Sequence, residues 1–271
     1  MINKNKLRIL SLGAGVQSST LALMIEKGEI EPIDFAVFAD TMQETQDTYD
    51  HLKFLQDTCS FEIKIVSEGD LLEDTFNKFI HIPFHTKNKS DGKGGLITRQ
   101  CTNHYKIRPV YQEIRKALGL QKGELNKTGI IVEQIMGISL DEMQRMTINK
   151  TKWINNVYPL VEKKIRRSDC IEWLKMNDFP IPPRSACWFC PYNSKSRWLD
   201  LKYNYPEYFE KAIQLDKKIR NFKGRTNSIK EDVELYLTSR KKPLDEVDFE
   251  KKDNNQIDFS FVDECSGMCG N

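Results

Sequence analysis

Residues 11–20 combine glycines and hydroxyl side chains at a point where a strand is expected to end and a helix to begin. Their sequence is SLGAGVQSST, in which the small residues let the backbone approach an anion closely. Backbone N–H groups and a helix N-terminus supply partial positive charge, and the hydroxyl groups add donors. The segment predicts a phosphate-binding loop, with an ordinary tight strand-to-helix turn as the alternative. The candidate ligands are Ser11, Gly13, Gly15, Gln17, Ser18 and Ser19.

The spacing of this loop excludes two common phosphate-binding motifs. A P-loop of the Walker type ends in a glycine-lysine pair, and this loop contains no lysine. A dinucleotide-binding fingerprint needs a third glycine, and Ser18 stands in its place. The loop is therefore expected to bind phosphate without belonging to either class.

A second segment, residues 99–109, concentrates a thiol among cations. Its sequence is RQCTNHYKIRP, in which Arg99 precedes Cys101 and Lys106 follows it. Cations beside a thiol lower its pKa, and they also bind phosphate or sulfate oxygens. The segment therefore predicts catalytic or anion-binding roles for Arg99, Cys101 and Lys106.

The sequence contains seven cysteines, and the odd number argues against complete disulfide pairing. No secretory signal is recognised in the first residues, so a reducing, cytoplasmic location is expected. Metal, cluster or thiol chemistry is then favoured over a disulfide framework. A tetrahedral zinc site and buried or redox-active thiols are two alternatives. The zinc site would use Cys187, Cys190, Cys265 and Cys269.

Alternating strand-like and helix-like segments must position these residues. The alternation predicts an α/β fold, with a parallel sheet flanked by helices. Ser18 is expected near the N-cap of the first helix. Strands are expected at residues 7–12, 33–39, 61–66 and 129–138, and helices at 18–27, 44–58 and 105–118.

The pattern changes after Val161, and the remaining chain is expected to be mainly helical. Helices are expected at residues 168–176, 206–222 and 229–239. The predicted organisation is an α/β domain over 1–161, a helical region with the CxxC pair over 162–242, and an acidic, cysteine-containing tail over 243–271.

Length and composition exclude some classes of protein. The 271 residues are 39% hydrophobic and 30% charged, which suits a folded chain with a sizeable core. No apolar segment approaches the roughly 20 residues of a membrane-spanning helix, so no membrane partner is expected. The net charge of +2 gives no general argument for nucleic-acid binding.

These segments resemble the pyrophosphate-loop (PP-loop) adenine-nucleotide α-hydrolase superfamily, and within it the phosphoadenylyl-sulfate (PAPS) reductase-like proteins. Gly15-Val16-Gln17 is similar to the G-I-Q of PAPS reductases, whereas ATP pyrophosphatases usually carry S-G-G-x-D-S. Residues 38–41 (FADT) and Glu44 resemble F-x-D-T-G-x-E, with Met42 where glycine is usual. Residues 137–145 (GISLDEMQR) are similar to G-x-R-x-x-E-S-x-x-R, with serine in place of the first arginine.

The resemblance implies a Rossmann-like (HUP/PP-loop) fold that binds an adenine nucleotide. It places Asp40, Thr41 and Gly137 beside the nucleotide and Arg145 near its phosphates. Mg²⁺ would neutralise the pyrophosphate. A helix N-cap is the alternative role for Asp40, and a surface helix is the alternative setting for Arg145.

The cysteines extend the resemblance. Residues 101–109 resemble the C-C-x-x-x-K-x-x-P element of adenylyl-sulfate reductases, with threonine in place of the second cysteine. CWFCP matches the later CxxC of that group, whose cysteines hold a [4Fe–4S] cluster. The implied ligands are Cys101, Cys187 and Cys190, with Cys265 as the candidate for the fourth. The tail, ECSGMCG, is similar to the C-terminal E-C-G-x-H of PAPS reductases, which implies a catalytic role for Cys269.

Three functions follow from this resemblance. The leading one is ATP pyrophosphatase-type adenylylation of an acceptor, coupled to sulfur transfer through the cysteine-bound cluster. The second is reduction of PAPS or adenylyl sulfate to sulfite by a thiol donor. The third is a nucleotide-sensing subunit of a phage-defence or counter-defence assembly. Similarity extends to phage-borne members and to the sulfur-transfer component of DNA phosphorothioation. The acceptor could be a nucleic acid or nucleobase. The sequence leaves open whether the chain forms a homo-oligomer or binds a protein partner.

Overall fold

The computed structural model describes residues 6–78, 82–222 and 229–251. The strands of this part of the chain are β1 Lys6–Leu12, β2 Phe35–Asp40, β3 Glu62–Ser67, β4 His85–Asn88, β5 Ile131–Met136, β6 Ile154–Val157 and β7 Val233–Tyr236. Five of them form one sheet in the order β3-β2-β1-β5-β6, and every neighbouring pair is parallel. The other two, β4 and β7, form a small antiparallel sheet.

Helices connect the strands. The α-helices are α1 Val16–Glu26, α2 Gln46–Thr58, α3 Leu71–Asn77, α4 Arg108–Ala117, α5 Pro159–Glu162, α6 Arg167–Met176, α7 Lys195–Asn204 and α8 Pro206–Ile219. A π-helical turn, Asn103–Ile107, leads directly into α4. A 3₁₀ segment, Leu140–Arg145, follows β5.

The helix α1 is buried on nearly all sides, because it packs between the sheet, α2 and α6. Its apolar residues share a core cluster with Leu10 and Leu12 of β1 and with Cys170 and Leu174 of α6. A helix that is apolar around its circumference is typical of such a central position. This packing fixes the N-terminus of α1 at the carboxyl end of β1.

The opposite face of the sheet is covered by α4. Val110 and Ile114 of α4 pack against Ile9 of β1 and Val132 of β5. Pro109 is the second residue of α4 and directly follows the π-helical turn. The two faces of the sheet therefore have separate apolar cores.

The strand order reverses beside β1. The chain runs from β1 outward through β2 to β3, and β5 later pairs with the other side of β1. Ligands of open parallel sheets bind at such a switch point, in the crevice outside the carboxyl ends of the strands. This arrangement is a Rossmann-like α/β fold, so the predicted fold class is confirmed.

The predicted strands of this sheet match the observed ones to within a few residues at each end. The predicted start of the first helix was wrong. It begins at Val16, with Gly15 as N-cap, and Ser18 lies inside its first turn. The strand β6 was not predicted, since its four residues, INNV, carry little apolar pattern.

The helix predicted over residues 229–239 was also wrong. Val233, Leu235 and Leu237 alternate with polar or half-polar neighbours, a spacing of two that is typical of a strand. The segment forms β7 and pairs with β4. Leu235 and Leu237 belong to a second apolar cluster that also contains Phe84, after β3, and Trp198 of α7.

Residues of the predicted tail fall largely outside the described ranges. Cys265 and Cys269 are among them, so the predicted metal ligand and the predicted catalytic thiol lie outside the described residues. In the described part, none of the helices combines the length and the apolar character needed to cross a membrane.

Candidate functional site

The loop between β1 and α1 is folded around the hydroxyl of Ser18. Its Oγ accepts a hydrogen bond from the Gly13 N–H at 3.2 Å and donates one to the Gly15 carbonyl at 3.3 Å. Ala14 has a positive φ of 56°, which turns the chain between the two glycines. Gly15 caps α1 without a side-chain hydrogen bond. The first N–H groups of α1 therefore have no side-chain cap and are oriented to receive an anion.

Gly137, directly after β5, packs against this loop. A Cβ built on Gly137 would lie 2.9 Å from both the backbone N and the Cα of Ser18. The neighbouring atoms belong to backbone and cannot move as a flexible side chain could. Only glycine allows the two connections to meet at the switch point of the sheet. The structure thus places Gly137 beside the loop.

Gln17 links the loop to the segment after β5. Its Nε2 donates to Glu142 Oε2 at 3.1 Å and to Ser139 Oγ at 3.4 Å, and all three residues are buried. Glu142 also pairs with Arg145, with Nη1 and Oε1 2.8 Å apart. Gln17 therefore holds the loop against its neighbour, and Arg145 is connected to the loop through Glu142.

Ser11 supplies a buried hydroxyl at the end of β1. Side chains alternate along a strand, so Ser11 lies on the face of Ile9, opposite to Leu10 and Leu12. Its Oγ is buried without a hydrogen-bond partner among the described residues. A buried polar atom of this kind calls for an explanation, and a bound ligand at the sheet edge would provide one.

Ser19 is paired with a buried histidine of α2. Ser19 Oγ and His51 Nε2 are 3.0 Å apart, and both residues are buried. Burial lowers the pKa of His51 from 6.5 to about 4, because the charged imidazolium would lose its hydration. His51 is therefore neutral at neutral pH and fixes the Ser19 hydroxyl at the start of α1.

The state of His51 predicts a pH dependence of stability. Above pH 6.5 the histidine is neutral in both folded and unfolded chains, whereas between pH 6.5 and 4 only the unfolded chain takes up the proton. Stability is therefore lost as the pH falls through this window. We expect the free energy of unfolding to fall by roughly 2 kcal/mol from this group between pH 7 and pH 5. Urea titrations at the two pH values measure the loss.

Two variants test whether His51 causes this loss of stability. His51→Gln should remove the His51 contribution, so its stability should change less between the two pH values than that of the parent chain. Burial also lowers the pKa of His85, and His85→Gln should keep the contribution of His51. Equal pH dependence in the parent chain and in His51→Gln would show that the histidine does not remain neutral on folding.

Asp40 ends β2 and organises the turn after it. Its Oδ1 accepts hydrogen bonds from the Met42 N–H at 2.7 Å and from the Tyr49 hydroxyl at 2.9 Å. Burial and the Asp40 carboxylate raise the pKa of Tyr49, which keeps its proton on the phenol. Met42, in the place where the related motif has glycine, has a positive φ of 61°. Both hydrogen bonds end on Oδ1, so Oδ2 is the oxygen that can meet a ligand.

A buried ion pair lies beneath this turn. Glu44 Oε1 and Lys106 Nζ are 3.5 Å apart, and their side chains are 1% and 7% exposed. Ser185 Oγ lies 3.4 Å from Glu44 Oε2. The pair joins the turn after β2 to the π-helical turn before α4, so Lys106 is placed behind the sheet edge and is neutralised by Glu44.

The CxxC pair docks on the same turn. Cys187 Sγ and Thr41 Oγ1 are 3.4 Å apart, and the Trp188 N–H donates to the Gln43 carbonyl at 3.1 Å. The Cys190 N–H donates to the Cys187 carbonyl at 3.0 Å, which closes the CxxC turn. Burial, with the Glu44 carboxylate as a second cause, raises the pKa of the Cys187 thiol well above its ordinary value. Cys187 is therefore a protonated thiol at neutral pH.

The remaining predicted residues lie beside this docked segment. The Arg99 guanidinium lies over the Tyr192 ring, 5.1 Å from its centroid. Cys101 and Cys187 border the same apolar cluster, and both are partly buried. Together with Lys106, these residues connect the segment before α4 to the CxxC turn. The structure thus brings the cation-rich thiol segment to the carboxyl edge of the sheet.

The cysteines predicted as metal ligands do not form a metal site within the described residues. In the three described ranges, no group of three or more histidine, cysteine, aspartate or glutamate side chains is placed to hold a metal ion. Cys101, Cys187 and Cys190 therefore do not make such a group by themselves. The fourth candidate, Cys265, lies outside the described residues. The [4Fe–4S] cluster stays a prediction, and so does its zinc alternative.

Solved structures of known proteins include chains that are similar to this one. The chain is similar to the crystal structure of the PAPS reductase from Candida auris in complex with phosphate. The TM-score is 0.41 and the identity 17%, over 66% of this chain and 75% of that chain. No family model and no curated protein matches the sequence. The roles of individual residues accordingly rest on the contacts described above.

Several residues that build the site were not predicted as site residues. Glu44 and Glu142 lie in the quoted motifs, where their burial opposite a cation could not be foreseen. Ser139 stands in the place of a motif arginine and instead receives a hydrogen bond from Gln17. His51 gave no signal, because its partner Ser19 is 32 residues away along the chain.

Proposed function

We propose that the chain is an enzyme that binds ATP at the 13–19 loop and transfers its adenylyl group to an acceptor. The observation that carries the proposal is the anion-binding arrangement at the switch point. An uncapped helix N-terminus, a loop closed by Ser18 and the glycine contact at Gly137 converge there. Partial positive charge at a helix N-terminus suits the pyrophosphate of a nucleotide.

The described residues have different roles at this site. The backbone N–H groups of the loop hold the β- and γ-phosphates, while the hydroxyls of Ser18 and Ser19 keep the loop and the first turn of α1 in place. Asp40 faces the nucleotide with Oδ2 and also fits Mg²⁺, which usually binds through one or two carboxylates together with substrate phosphates. When bound, Mg²⁺ would neutralise the charge on the leaving pyrophosphate. Arg145, held by Glu142, adds a cation on the side of β5.

The proposed reaction is a displacement at phosphorus. A nucleophilic atom of the acceptor forms a bond to the α-phosphorus, and the bond from that phosphorus to the bridging oxygen breaks. Pyrophosphate leaves with the electron pair of the broken bond, and the acceptor gives up its proton to solvent or a base. The loop donors stabilise the negative charge that develops on the leaving group.

Sulfur delivery to the activated acceptor is part of the same proposal. It would use the cysteines of the predicted cluster, which do not form a metal site among the described residues. The protonated state of Cys187 argues against its acting as a nucleophilic thiolate on its own. Reduction of PAPS would instead depend on Cys269, so sulfite formation is the outcome that would favour the alternative.

Replacing Ser18 tests the loop. Ser18→Ala removes both hydrogen bonds that close the loop, and we expect the dissociation constant for ATP, measured by calorimetry with Mg²⁺, to rise roughly 10-fold. The exposed Ser168 at the start of α6 provides a matched serine-to-alanine control. ATP incubated with parent enzyme, Mg²⁺ and total nucleic acid should yield pyrophosphate, with the adenylyl group attached to the acceptor. Unchanged ATP binding by Ser18→Ala would remove the loop from the proposal.

A further inference from the structure

A cavity of about 520 Å³ opens on the face of the sheet that α4 covers. Its walls come from the start of α4, from β5 and β6, and from the loop 147–151. Among the described residues, those of the 13–20 loop do not line it. Its size falls in the range of small-molecule and cofactor sites. The cavity is therefore a second candidate site, whose occupancy does not require the activity proposed above.

The wall formed by the loop 147–151 is fixed to β6. Asn156 Nδ2 donates to the Thr147 carbonyl at 2.9 Å, and Asn149 Nδ2 donates to Asn156 Oδ1 at 3.2 Å. The Tyr158 hydroxyl makes two further bonds with the backbone of Thr147. These contacts hold the loop in place, so the cavity is formed before a ligand arrives, as is usual for binding sites.

The chemistry of the lining has three parts. Ile107, Ile114 and Ile154 supply apolar walls, together with the ring of Tyr111. Tyr111 is held by Trp153, with ring centroids 5.9 Å apart. An aromatic and apolar slot of this kind accepts a flat heterocycle.

A buried amide lies at the floor of the slot. Gln134, in the middle of β5, is 2% exposed and lines the cavity. It occupies a strand position between the apolar residues Val132 and Met136, where packing alone would favour an apolar side chain. An amide offers a donor and an acceptor side by side, which match the edge of a nucleobase.

Cations surround the mouth of the cavity. Arg108 and Lys150 line it and are exposed, and the described lining residues include no carboxylate. Arg108 has one acidic neighbour, Glu68, at 3.9 Å. The apolar slot with an amide at its floor suits a base, and the cations at its rim suit a phosphate attached to that base.

From these features we infer that the cavity binds one nucleotide unit, with the base in the slot beside Tyr111 and Gln134 and the phosphate at Arg108 and Lys150. The unit could come from a free mononucleotide or from a single-stranded nucleic acid, since both present the same base and phosphate. Ile148, next to Lys150, is 95% exposed at the rim and would contact a flanking nucleotide of a strand.

Binding measurements on the full chain test the inference. The probes are the nucleoside monophosphates other than AMP, which the 13–19 loop is itself proposed to bind, and fluorescein-labelled hexanucleotides. Binding of the monophosphates is measured by calorimetry, and binding of the hexanucleotides by anisotropy at several salt concentrations. Lys150→Ala should weaken binding roughly 10-fold for all bases and reduce the dependence on salt by about one ion. Gln134→Leu should reduce discrimination between bases by roughly 10-fold. Tight binding of monophosphates identifies the free source, and binding of hexanucleotides alone identifies the strand.

Two control variants test whether binding is specific to the cavity. Lys152→Ala removes an exposed lysine two residues from Lys150 and should leave binding unchanged. Ser18→Ala should retain it, because the ligand lies outside the phosphate loop. Equal loss in Lys150→Ala and Lys152→Ala, loss in Ser18→Ala, or no binding of either probe would overturn the inference. Because Gln134 is buried, thermal unfolding first checks that Gln134→Leu is folded. If that variant does not fold, the comparison of Lys150→Ala with Lys152→Ala tests the inference.

Discussion

Gly137→Ala is expected to abolish ATP binding. The added Cβ would lie 2.9 Å from the backbone N and Cα of Ser18, closer than real Cβ atoms approach backbone. Either the segment after β5 or the 13–19 loop must then shift, and the helix N-terminus no longer faces the phosphates correctly. We expect the dissociation constant for ATP to rise at least ~100-fold, a loss of about 2.7 kcal/mol. Calorimetric titration of ATP in the presence of Mg²⁺ measures the change.

A matched glycine variant shows that the effect is local. Gly95→Ala adds the same methyl group where the nearest atom, Thr86 Oγ1, is 3.9 Å away. Its ATP affinity should equal that of the parent chain. Circular dichroism of Gly137→Ala should still show a folded α/β protein, because the glycine lies at the end of β5 and not within it. Full ATP affinity in folded Gly137→Ala would mean that the loop does not hold the nucleotide.

Lys106→Met is expected to cause the largest loss of stability. It removes the cation 3.5 Å from Glu44, whose side chain is 1% exposed, and leaves a buried carboxylate without this partner. Removing one member of a buried ion pair typically costs about 3–5 kcal/mol. The free energy of unfolding of Lys106→Met, measured by urea denaturation, should fall by about this amount.

Two further variants distinguish the effect of breaking the buried ion pair from the effect of removing any lysine charge. Lys116→Met removes a lysine that is 80% exposed and lies 3.7 Å from Glu113, so it should cost less than about 1 kcal/mol. Lys106→Met combined with Glu44→Gln removes both buried charges and should recover much of the loss. A double variant as unstable as Lys106→Met would show that the loss does not come from a buried carboxylate left without its cation.

The sheet and its helices could be predicted because their patterns are local. Leu7 to Leu12 and the apolar run before Asp40 read as buried strands, and the chain between them reads as a helix. The start of α1 was misplaced because a serine is a favoured N-cap. The hydroxyl of Ser18 instead bonds back to Gly13, and Gly15 takes the cap position.

The contacts that complete the site depend on residues far apart in the chain. Gln17 meets Glu142 across 125 residues, and Thr41 meets Cys187 across 146. A single sequence shows the chemistry of each residue but not its partner. The structure places the motif segments at one edge of the sheet, and the ion pairs of Lys106 and Arg145 are visible only in the fold.

The strand β7 shows a different limit. Lys230 to Leu237 contains charged residues that also suit an exposed helix, and the two-residue spacing of its apolar positions covers only a short stretch. Pairing with β4, nearly 150 residues earlier in the chain, decides the conformation. The tertiary partner overrides a local preference that is weak in either direction.

A crystal structure with a non-hydrolysable ATP analogue and Mg²⁺ tests the central claim most directly. The account predicts that the terminal phosphates contact the backbone N–H groups between Gly13 and Ser19, with the adenosine toward Asp40. It also predicts that Ser11 Oγ gains a hydrogen-bond partner from the ligand or its waters. A nucleotide seated elsewhere, with this loop unchanged and no ligand against it, would contradict the account.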